Sequence, residues 1–153
     1  DFVVHKAAVA ARVTSLNLWV EGGIRREGIG SFSGDGVILA SPTGSTAYSL
    51  SAGGPIVSPA VDCILATPIC PHTLAVRPLV LSASETVTVE VLSPSEELIL
   101  TVDGQESANL VPGDRLVARR TDPPLRLVRF PGHTFFSSLR RKLRWGDLQE
   151  RER

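Results

Sequence analysis

Alternation of apolar and polar residues predicts a β-strand over residues 15–20. Apolar side chains fall on one side of this strand and Trp19 falls on the other, which is the two-residue period of a half-buried strand. Gly22 and Gly23 follow directly and favour a hairpin. The chain is therefore expected to enter a β-sheet early and to turn back on itself.

A short apolar run over 37–40 predicts a strand that is buried on both faces, since turn-forming residues flank it and no polar residue interrupts it. The pattern then changes to small and hydroxyl residues from Ser45 to Ala52, before two glycines and a proline. This composition, with a hydroxyl residue at its start, predicts a short helix. We expect no other helix before the C-terminal tail.

Six further segments have the length and composition of short strands, and turn-forming residues separate them. These predicted strands are 64–67, 79–81, 86–92, 98–102, 115–119 and 125–130. Many short strands at this spacing predict a mainly β fold, namely an antiparallel, two-sheet, sandwich-like domain with one short internal helix.

The C-terminal part of the chain has a different pattern. Residues 135–143 predict an amphipathic helix, and four aromatic residues gather outside the strand region. These aromatic residues are Phe130, Phe135, Phe136 and Trp145. Because such a stretch needs a surface to cover, we expect a β-rich domain over 1–132 and a helical tail over 133–153 that packs on a domain outside this sequence.

Composition supports a folded domain and argues against several classes of protein. The 153 residues include 42% hydrophobic residues and 16 basic residues that balance 16 acidic ones. This balance does not indicate disorder, a nucleic-acid partner or an anionic membrane surface. No apolar run approaches the roughly 18 residues of a membrane helix, and no secretory signal pattern opens the chain. We therefore expect a soluble, unprocessed protein.

Cysteine and histidine residues offer little evidence for a metal site or a hydrolase. Cys63 and Cys70 lie in apolar surroundings, and their spacing with His72 matches no familiar zinc pattern. Buried free thiols in a reducing cytosol are expected, with a metal site or a disulfide as the alternative. No Gly-x-Ser-x-Gly segment occurs, which argues against a hydrolase of that type.

The candidate chemistry lies in residues 34–55, which predict a strand, a tight turn and a hydroxyl-rich helix start. Free backbone N–H groups at a helix start, together with the hydroxyls of Thr46, Ser49 and Ser51, can hydrogen-bond a ligand. Tyr48 offers a flat face for a base and a polar tip. These residues suggest nucleotide binding, while a plain helix cap is the alternative.

Three motifs, in this order, resemble those of the NAD kinase family. The first is TGSTAY at 43–48 followed by GGP at 53–55, the second is PICPHTL at 68–74 with RPL at 77–79, and the third is VDGQ at 102–105. The resemblance covers nearly the whole chain. It implies that the chain is the C-terminal, NAD-binding domain of such a kinase.

Members of this family transfer the terminal phosphoryl group of ATP, or in some members of polyphosphate, to the 2′-hydroxyl of the adenosine ribose of NAD. The resemblance therefore implies NAD as substrate, a divalent metal such as Mg²⁺ that accompanies ATP, and a cytoplasmic homodimer or homotetramer. The family's Gly-Gly-Asp-Gly motif, which carries the catalytic aspartate on an N-terminal α/β domain, does not occur in this sequence. We expect no catalytic residue and no metal ligand in this chain, and no kinase activity from it alone.

The resemblance also assigns candidate substrate contacts. The implied NAD-binding residues are Asp1, Arg12, Asp35, Thr46, Ala47, Tyr48, Ser49, Leu50, Ser51 and Gln105. Asp1 resembles the acidic member of an Asn-Asp/Glu pair, so the sequence is expected to begin within that motif. Thr46 to Ser51 would surround the adenine end, and Asp35 resembles the acid near the nicotinamide end.

Each of these assignments has a plainer alternative. Arg12 could be a strand-edge arginine, and Asp35 and Gln105 could be ordinary turn residues. Cys70 and His72 fall where some members contact the nicotinamide across a subunit boundary, but a packed thiol and a satisfied histidine remain open. Ser33 stands where many relatives have arginine, which leaves the preference between oxidised and reduced dinucleotide undetermined.

Two other classes of function remain open from the sequence. One is a stand-alone, non-catalytic nucleotide-binding module. The other is a related lipid kinase that shares the two-domain plan. A lipid kinase would need a lipid cleft, whereas the hydroxyl-rich segment over 46–51 suits a base.

Overall fold

The computed structural model describes residues 1–7, 13–23, 25–92, 98–128, 130–132 and 134–144. The chain divides into two compact units, Asp1–Thr121 and Asp122–Arg153. The division falls earlier in the chain than the predicted boundary after residue 132. All the strands described below lie in the first unit, which also contains the candidate site.

The described part of the first unit forms two antiparallel sheets. Its strands are β1 Phe2–Lys6, β2 Thr14–Gly22, β3 Arg25–Gly34, β4 Gly36–Ala40, β5 Cys63–Ile69, β6 Leu79–Ser82, β7 Thr86–Val91, β8 Leu98–Val102, β9 Glu106–Leu110 and β10 Arg115–Ala118. One sheet has the order β6-β5-β4-β1-β8-β9 and the other has the order β10-β7-β2-β3. The mainly β, two-sheet antiparallel fold predicted from the sequence is confirmed.

The main hydrophobic core brings together residues of both sheets. Val4 and Leu39 of the six-stranded sheet belong to one buried cluster with Leu16 and Val89 of the four-stranded sheet. None of these four side chains is more than 1% exposed. Burial of each such side chain contributes roughly 1.5–3 kcal/mol, so this core is the main source of the first unit's stability.

A second buried cluster covers the opposite face of the six-stranded sheet. Ile38 of β4 and Leu65 of β5 pack there with Val57, which lies in the connection before β5. Because Val37 and Leu39 belong to the main core, β4 has apolar contacts on both faces. The prediction of a strand buried on both faces is confirmed.

The predicted alternation in β2 is confirmed, because Leu16, Leu18 and Val20 pack against the main core and Trp19 belongs to neither buried cluster. Trp19 is nevertheless only 5% exposed. The guanidinium groups of Arg26 and Arg115 lie 4.1 and 5.3 Å from the ring centroid, so two cation–π contacts cover the indole.

The predicted helix over 45–52 is correct in place but wrong in form. The structure has a single 3₁₀ turn at Thr43–Thr46 and then helix α1, Tyr48–Ser51, which is one turn long. Ala47 occupies the N-cap, and no side chain caps it. The expected hydroxyl cap is therefore wrong, since the hydroxyl of Ser45 instead bonds backbone groups of Val57.

The second unit contains helix α2, Phe135–Leu143, with the bounds predicted from the sequence. The Thr134 hydroxyl accepts a hydrogen bond from the backbone N–H of Ser137, which forms half of a capping box. The strand predicted over 125–130 is wrong: the described residues of this segment have no strand partner. Leu125 and Val128 are each 87% exposed, so their apolar character does not place them in a core.

Candidate functional site

A cleft of about 670 Å³ lies along β1 in the first unit. Strand β1 and the residues at its ends contribute one wall, and the segments around residues 35, 47, 69 and 101–104 contribute the rest. Because these segments come from distant parts of the sequence, the sheet order itself assembles the cleft. The two ends of the cleft carry different chemistry.

One end of the cleft carries two carboxylates. The backbone N–H of Asp103 donates to the carbonyl of Asp1 at 2.9 Å, which fixes the hairpin between β8 and β9 against the start of β1. Asp103 and Gly104 have φ values of 48° and 68°, the conformation that the Asp-Gly turn signal predicts. A carboxylate accepts hydrogen bonds only, so this end suits a ligand that presents hydroxyl groups.

Tyr48 and Ala47 line the same cleft. The preceding 3₁₀ turn lies against Asp1, because a Cβ placed on Gly44 would be 3.7 Å from the Asp1 Cβ. Tyr48 is 47% exposed. A half-exposed aromatic ring at a cleft is a surface on which a planar base can stack.

The other end of the cleft carries an ion pair. The Nζ of Lys6 lies 2.8 Å from Oδ1 of Asp35. The Lys6 N–H donates to the Asp35 carbonyl at 3.2 Å, and the Asp35 N–H donates to the Ile69 carbonyl at 2.9 Å. These backbone bonds join the end of β1, the turn before β4 and the end of β5 around one pair of opposite charges.

Gly36 permits this junction of strands. A Cβ at Gly36 would lie 2.0 Å from the carbonyl oxygen of Val4, closer than any real side chain approaches. In the antiparallel pairing of β1 with β4, His5 lies opposite Gly36. Only glycine therefore allows β1 to run this close to β4, and that close approach places Lys6 beside Asp35.

His5 is held on two sides within the cleft wall. Its Nδ1 lies 2.9 Å from the Lys6 carbonyl and must carry the hydrogen of that bond. Its Nε2 lies 3.3 Å from the Thr101 hydroxyl of β8. The ring therefore links β1 to β8 and has a fixed orientation in the wall.

The structure brings part of the predicted site together. Asp1, Asp35, Ala47 and Tyr48 line the cleft. The other predicted residues that the structure describes do not line it. These are Thr46, Ser49, Leu50, Ser51, Gln105, Cys70 and His72. Arg12 lies outside the described residues.

The hydroxyl of Ser49, which was predicted to contact a ligand, has a partner inside the protein. Ser49 is fully buried, and its Oγ lies 2.8 Å from Oγ1 of Thr67. The helix turn thus directs this side chain into the protein. Thr46 remains exposed, but its hydroxyl donates to the carbonyl of Thr43 at 3.4 Å and lies outside the cleft lining.

Cys70 also requires a correction, since both cysteines were expected to be buried. Cys63 is buried but Cys70 is exposed. Cys70 follows the last residue of β5 with a φ of 44°, which turns the chain away from the strand direction. Both thiols are free.

Sequence reasoning missed several residues of the cleft. The missed residues are Val3, His5, Lys6, Ala7, Ile69 and Thr101. Most of them belong to β1, β5 and β8, where each reads as an ordinary strand position. A sequence signal was available for Asp103 and Gly104, whose turn motif lies within the third family motif, and for Ile69, which lies within the second.

The described residues contain no group of three or more His, Cys, Asp or Glu side chains placed to hold a metal ion. No helix among them is long and apolar enough to span a membrane.

A two-sheet β domain with an aromatic ring, carboxylates and an ion pair around one cleft has the form of a small-molecule-binding domain. The family model for the ATP-NAD kinase C-terminal domain matches residues 3–130. The chain belongs to the ATP-NAD kinase family and corresponds to its C-terminal domain.

Individual relatives agree with this assignment. An NAD kinase of Gemmatimonas aurantiaca is 51% identical over 99% of this chain and 51% of the relative. The crystal structure of yeast NADH kinase complexed with NADH matches with a TM-score of 0.82 and 32% identity, over 95% of this chain and 43% of that one.

An NAD kinase from Archaeoglobus fulgidus in complex with ATP matches with a TM-score of 0.67 and 28% identity, over 79% of this chain and 44% of that one. The chain therefore spans about half the length of the relatives that it matches.

Proposed function

We propose that this chain is the dinucleotide-binding part of an NAD kinase, which phosphorylates the 2′-hydroxyl of the adenosine ribose of NAD to give NADP. The phosphoryl donor would be ATP or polyphosphate. The observation that carries the proposal is the cleft itself, in which hydroxyl-accepting carboxylates and an exposed tyrosine ring line one space. Membership of the ATP-NAD kinase family supports it.

The contacts follow from the chemistry of each end of the cleft. A base of the dinucleotide stacks on Tyr48, and ribose hydroxyls donate to the carboxylates of Asp1 and Asp103. Asp35 binds toward the nicotinamide end. Cys70 and His72 are both exposed and outside the cleft, so they would reach the nicotinamide only from a second subunit.

In the proposed kinase this chain binds the acceptor, and residues beyond this chain carry out phosphoryl transfer. Transfer requires positioning of the acceptor and neutralisation of charge by metal ions and cationic groups. Mg²⁺ would be held by ATP and by other parts of the protein. This chain then positions the acceptor and contributes no catalytic base.

We also propose a cytoplasmic homodimer or homotetramer. The outer strands β3, β6, β9 and β10 each leave one edge without a partner in the described part of the chain. Open strand edges need to be covered or blocked, and a second subunit is one way to cover them. We further propose that the helical tail packs on the remaining domain of the kinase.

The alternatives are less well supported. A lipid kinase needs an apolar channel for acyl chains, whereas charged and polar groups occupy both ends of this cleft. A stand-alone binding module would bind the dinucleotide through the same cleft. It would differ from the proposed kinase in belonging to a protein without a Gly-Gly-Asp-Gly domain.

Calorimetric titration with NAD tests the proposed site. Tyr48→Ala should weaken binding by roughly 1–3 kcal/mol, the value of one base stacked on an aromatic ring, whereas Tyr48→Phe should bind nearly as well as the original chain. Arg120→Gln is the control, because Arg120 lies outside the cleft lining and is not among the predicted NAD-binding residues. Equal affinity of Tyr48→Ala and the original chain would remove the cleft assignment.

An activity assay tests separately whether this chain alone can transfer the phosphoryl group. The 153-residue chain, incubated with NAD, ATP and Mg²⁺, should produce no NADP. Production of NADP by this chain alone would show that it carries its own catalytic groups, contrary to the proposal.

A further inference from the structure

The ion pair between Lys6 and Asp35 is less exposed to solvent than the pair of Arg120 and Asp62. The Lys6 side chain is 21% exposed and that of Asp35 is 35% exposed. The corresponding values for Arg120 and Asp62, which also form a close pair, are 45% and 77%. Less exposed charges are less screened by water and salt, so the Lys6–Asp35 pair acts on its surroundings more strongly.

The backbone holds both members of the pair in place. Lys6 donates its N–H to Asp35, Asp35 donates its own N–H to Ile69, and Gly36 permits the close approach of β1. Since these contacts do not depend on the side chains, Lys6 and Asp35 would stay adjacent in variants of either residue. The pair is therefore a fixed feature of the cleft.

Lys6 also contributes to the balance of charge in the cleft. The cleft lining contains the carboxylates Asp1, Asp35 and Asp103, and Lys6 is its only lysine or arginine among the described residues. The ammonium group of Asp1 pairs with the Asp103 carboxylate at the other end, so Lys6 is the cation beside Asp35. His5 precedes Lys6 on the same strand and also lines the cleft, with its ring nitrogens on the Lys6 carbonyl and the Thr101 hydroxyl. Without Lys6, the lining would attract any cationic group strongly.

Oxidised and reduced nicotinamide dinucleotides differ in one relevant charge. The oxidised ring is a cation and the reduced ring is neutral, whereas the two phosphates are the same in both. Asp1 and Lys6 lie at opposite ends of β1, about 16 Å apart at roughly 3.3 Å per residue. With Tyr48 and the two hydroxyl-accepting carboxylates at the Asp1 end, the nicotinamide falls at the Lys6 end.

We propose that Lys6 is a specificity-determining residue that offsets the charge of Asp35, so that the cleft discriminates only weakly between the oxidised and the reduced dinucleotide. This inference rests on the proposed function of the cleft. Asp35 alone would favour the cationic ring, and Lys6 alone would favour the neutral ring. The ion pair presents both charges together and largely cancels this preference.

Calorimetric titration of the 153-residue chain with NAD⁺ and with NADH tests the proposal through the ratio of the two dissociation constants. Lys6→Gln should raise the affinity for NAD⁺ relative to that for NADH about three- to tenfold, the effect of one charge a few ångströms away in partly screened surroundings. Asp35→Asn should lower this relative affinity by a similar factor. The double variant should return it to within about twofold of the original ratio, because the two charges are coupled.

Two further variants serve as controls. Lys6→Arg keeps the positive charge and should keep the ratio. Arg120→Gln removes one partner of an ion pair outside the cleft and should leave the ratio unchanged. Thermal unfolding monitored by circular dichroism establishes that each variant is folded.

The possible results separate the inference from the proposed function. If both dinucleotides bind but Lys6→Gln and Asp35→Asn shift the ratio in the same direction, or leave it unchanged, the inference is overturned while the proposed function stands. If the folded original chain binds neither dinucleotide, the proposed function of this chain fails and the inference fails with it. Opposite shifts that cancel in the double variant support both.

Discussion

The hydroxyl oxygen of Ser49 lies 2.8 Å from that of Thr67, and both side chains are fully buried. The contact ties α1 to β5 and thereby fixes the position of Tyr48 at the edge of the cleft. A Cβ on Gly54 would lie 2.3 Å from the Ser49 oxygen, so this glycine leaves the space that the hydroxyl pair occupies. The serine that family resemblance assigned to ligand binding thus has a structural role.

Ser49→Ala should lower the free energy of unfolding by about 1–3 kcal/mol, because the Thr67 hydroxyl would remain buried without this partner. Urea denaturation measures the loss. Ser51→Ala is the matched control on the same helix turn, and its exposed side chain predicts a change within about 0.5 kcal/mol. The double variant Ser49→Ala, Thr67→Val should lose less than the sum of the single variants, and strict additivity would contradict the proposed pairing.

Gly36→Ala should be strongly destabilising, since the added Cβ would lie 2.0 Å from the backbone oxygen of Val4. Relief of the overlap must separate β1 from β4, and we expect a loss of about 3 kcal/mol or more in the free energy of unfolding. Gly28→Ala in β3 is the control, because a Cβ there meets no atom within 4 Å. Equal stability of the two variants in urea would show that β1 can move without cost.

The elements with a strong local pattern could be predicted from the sequence, and those without one could not. Strand β4 could be predicted from its continuous apolar run, and helix α2 could be predicted from its amphipathic period. By contrast, β3 is rich in glycine and charge, and most of its residues are exposed. It forms a strand because its whole length pairs with β2. The hairpin predicted after Gly22 and Gly23 is confirmed, although residues 25–34 themselves have no strand-like pattern.

The opposite error occurred over 125–130, where apolar residues at strand-like spacing suggested a strand. A strand needs a neighbour to accept its hydrogen bonds, and the described residues of this segment have none. The pattern indicated an apolar surface, as the exposure of Leu125 and Val128 shows. Apolar spacing alone therefore did not distinguish a strand from an apolar segment outside the sheets.

The candidate site could be predicted only where motifs mark it. Tyr48 lies in the first motif, and Asp35 and Asp1 were found through the family resemblance. His5 and Thr101 meet in the structure although they are 96 residues apart in the sequence. Lys6 was missed for the same reason, because only the sheet order places it beside Asp35.

The two thiols should differ sharply in reactivity toward a disulfide reagent such as Ellman's reagent. Cys70 is exposed and should react rapidly, whereas Cys63 is only 6% exposed and should react slowly until the protein unfolds. Cys70→Ser should remove the fast phase, and Cys63→Ala should retain it. A fast phase that persists in Cys70→Ser would contradict the burial of Cys63.

Burial of Cys63 also predicts a dependence of stability on alkaline pH. Removal of the thiol from water raises its pKa above the ordinary value of 9.0, and the carboxylate of Asp62 raises it further. The unfolded chain then loses this proton at a lower pH than the folded chain. The contribution of the buried, protonated thiol to the free energy of unfolding is therefore fully present below about pH 9. It is lost as the pH rises through the folded-state pKa.

The free energy of unfolding should accordingly fall as the pH rises above about 9, and part of this decline should be absent in Cys63→Ala. The substitution also leaves a small cavity, which lowers stability at every pH, so the informative quantity is the slope with pH and not the absolute value. Cys70→Ala is the control, because its thiol is exposed in the folded chain as well as the unfolded one. If Cys63→Ala and Cys70→Ala have the same slope in urea denaturation, the pKa of Cys63 is not raised by folding.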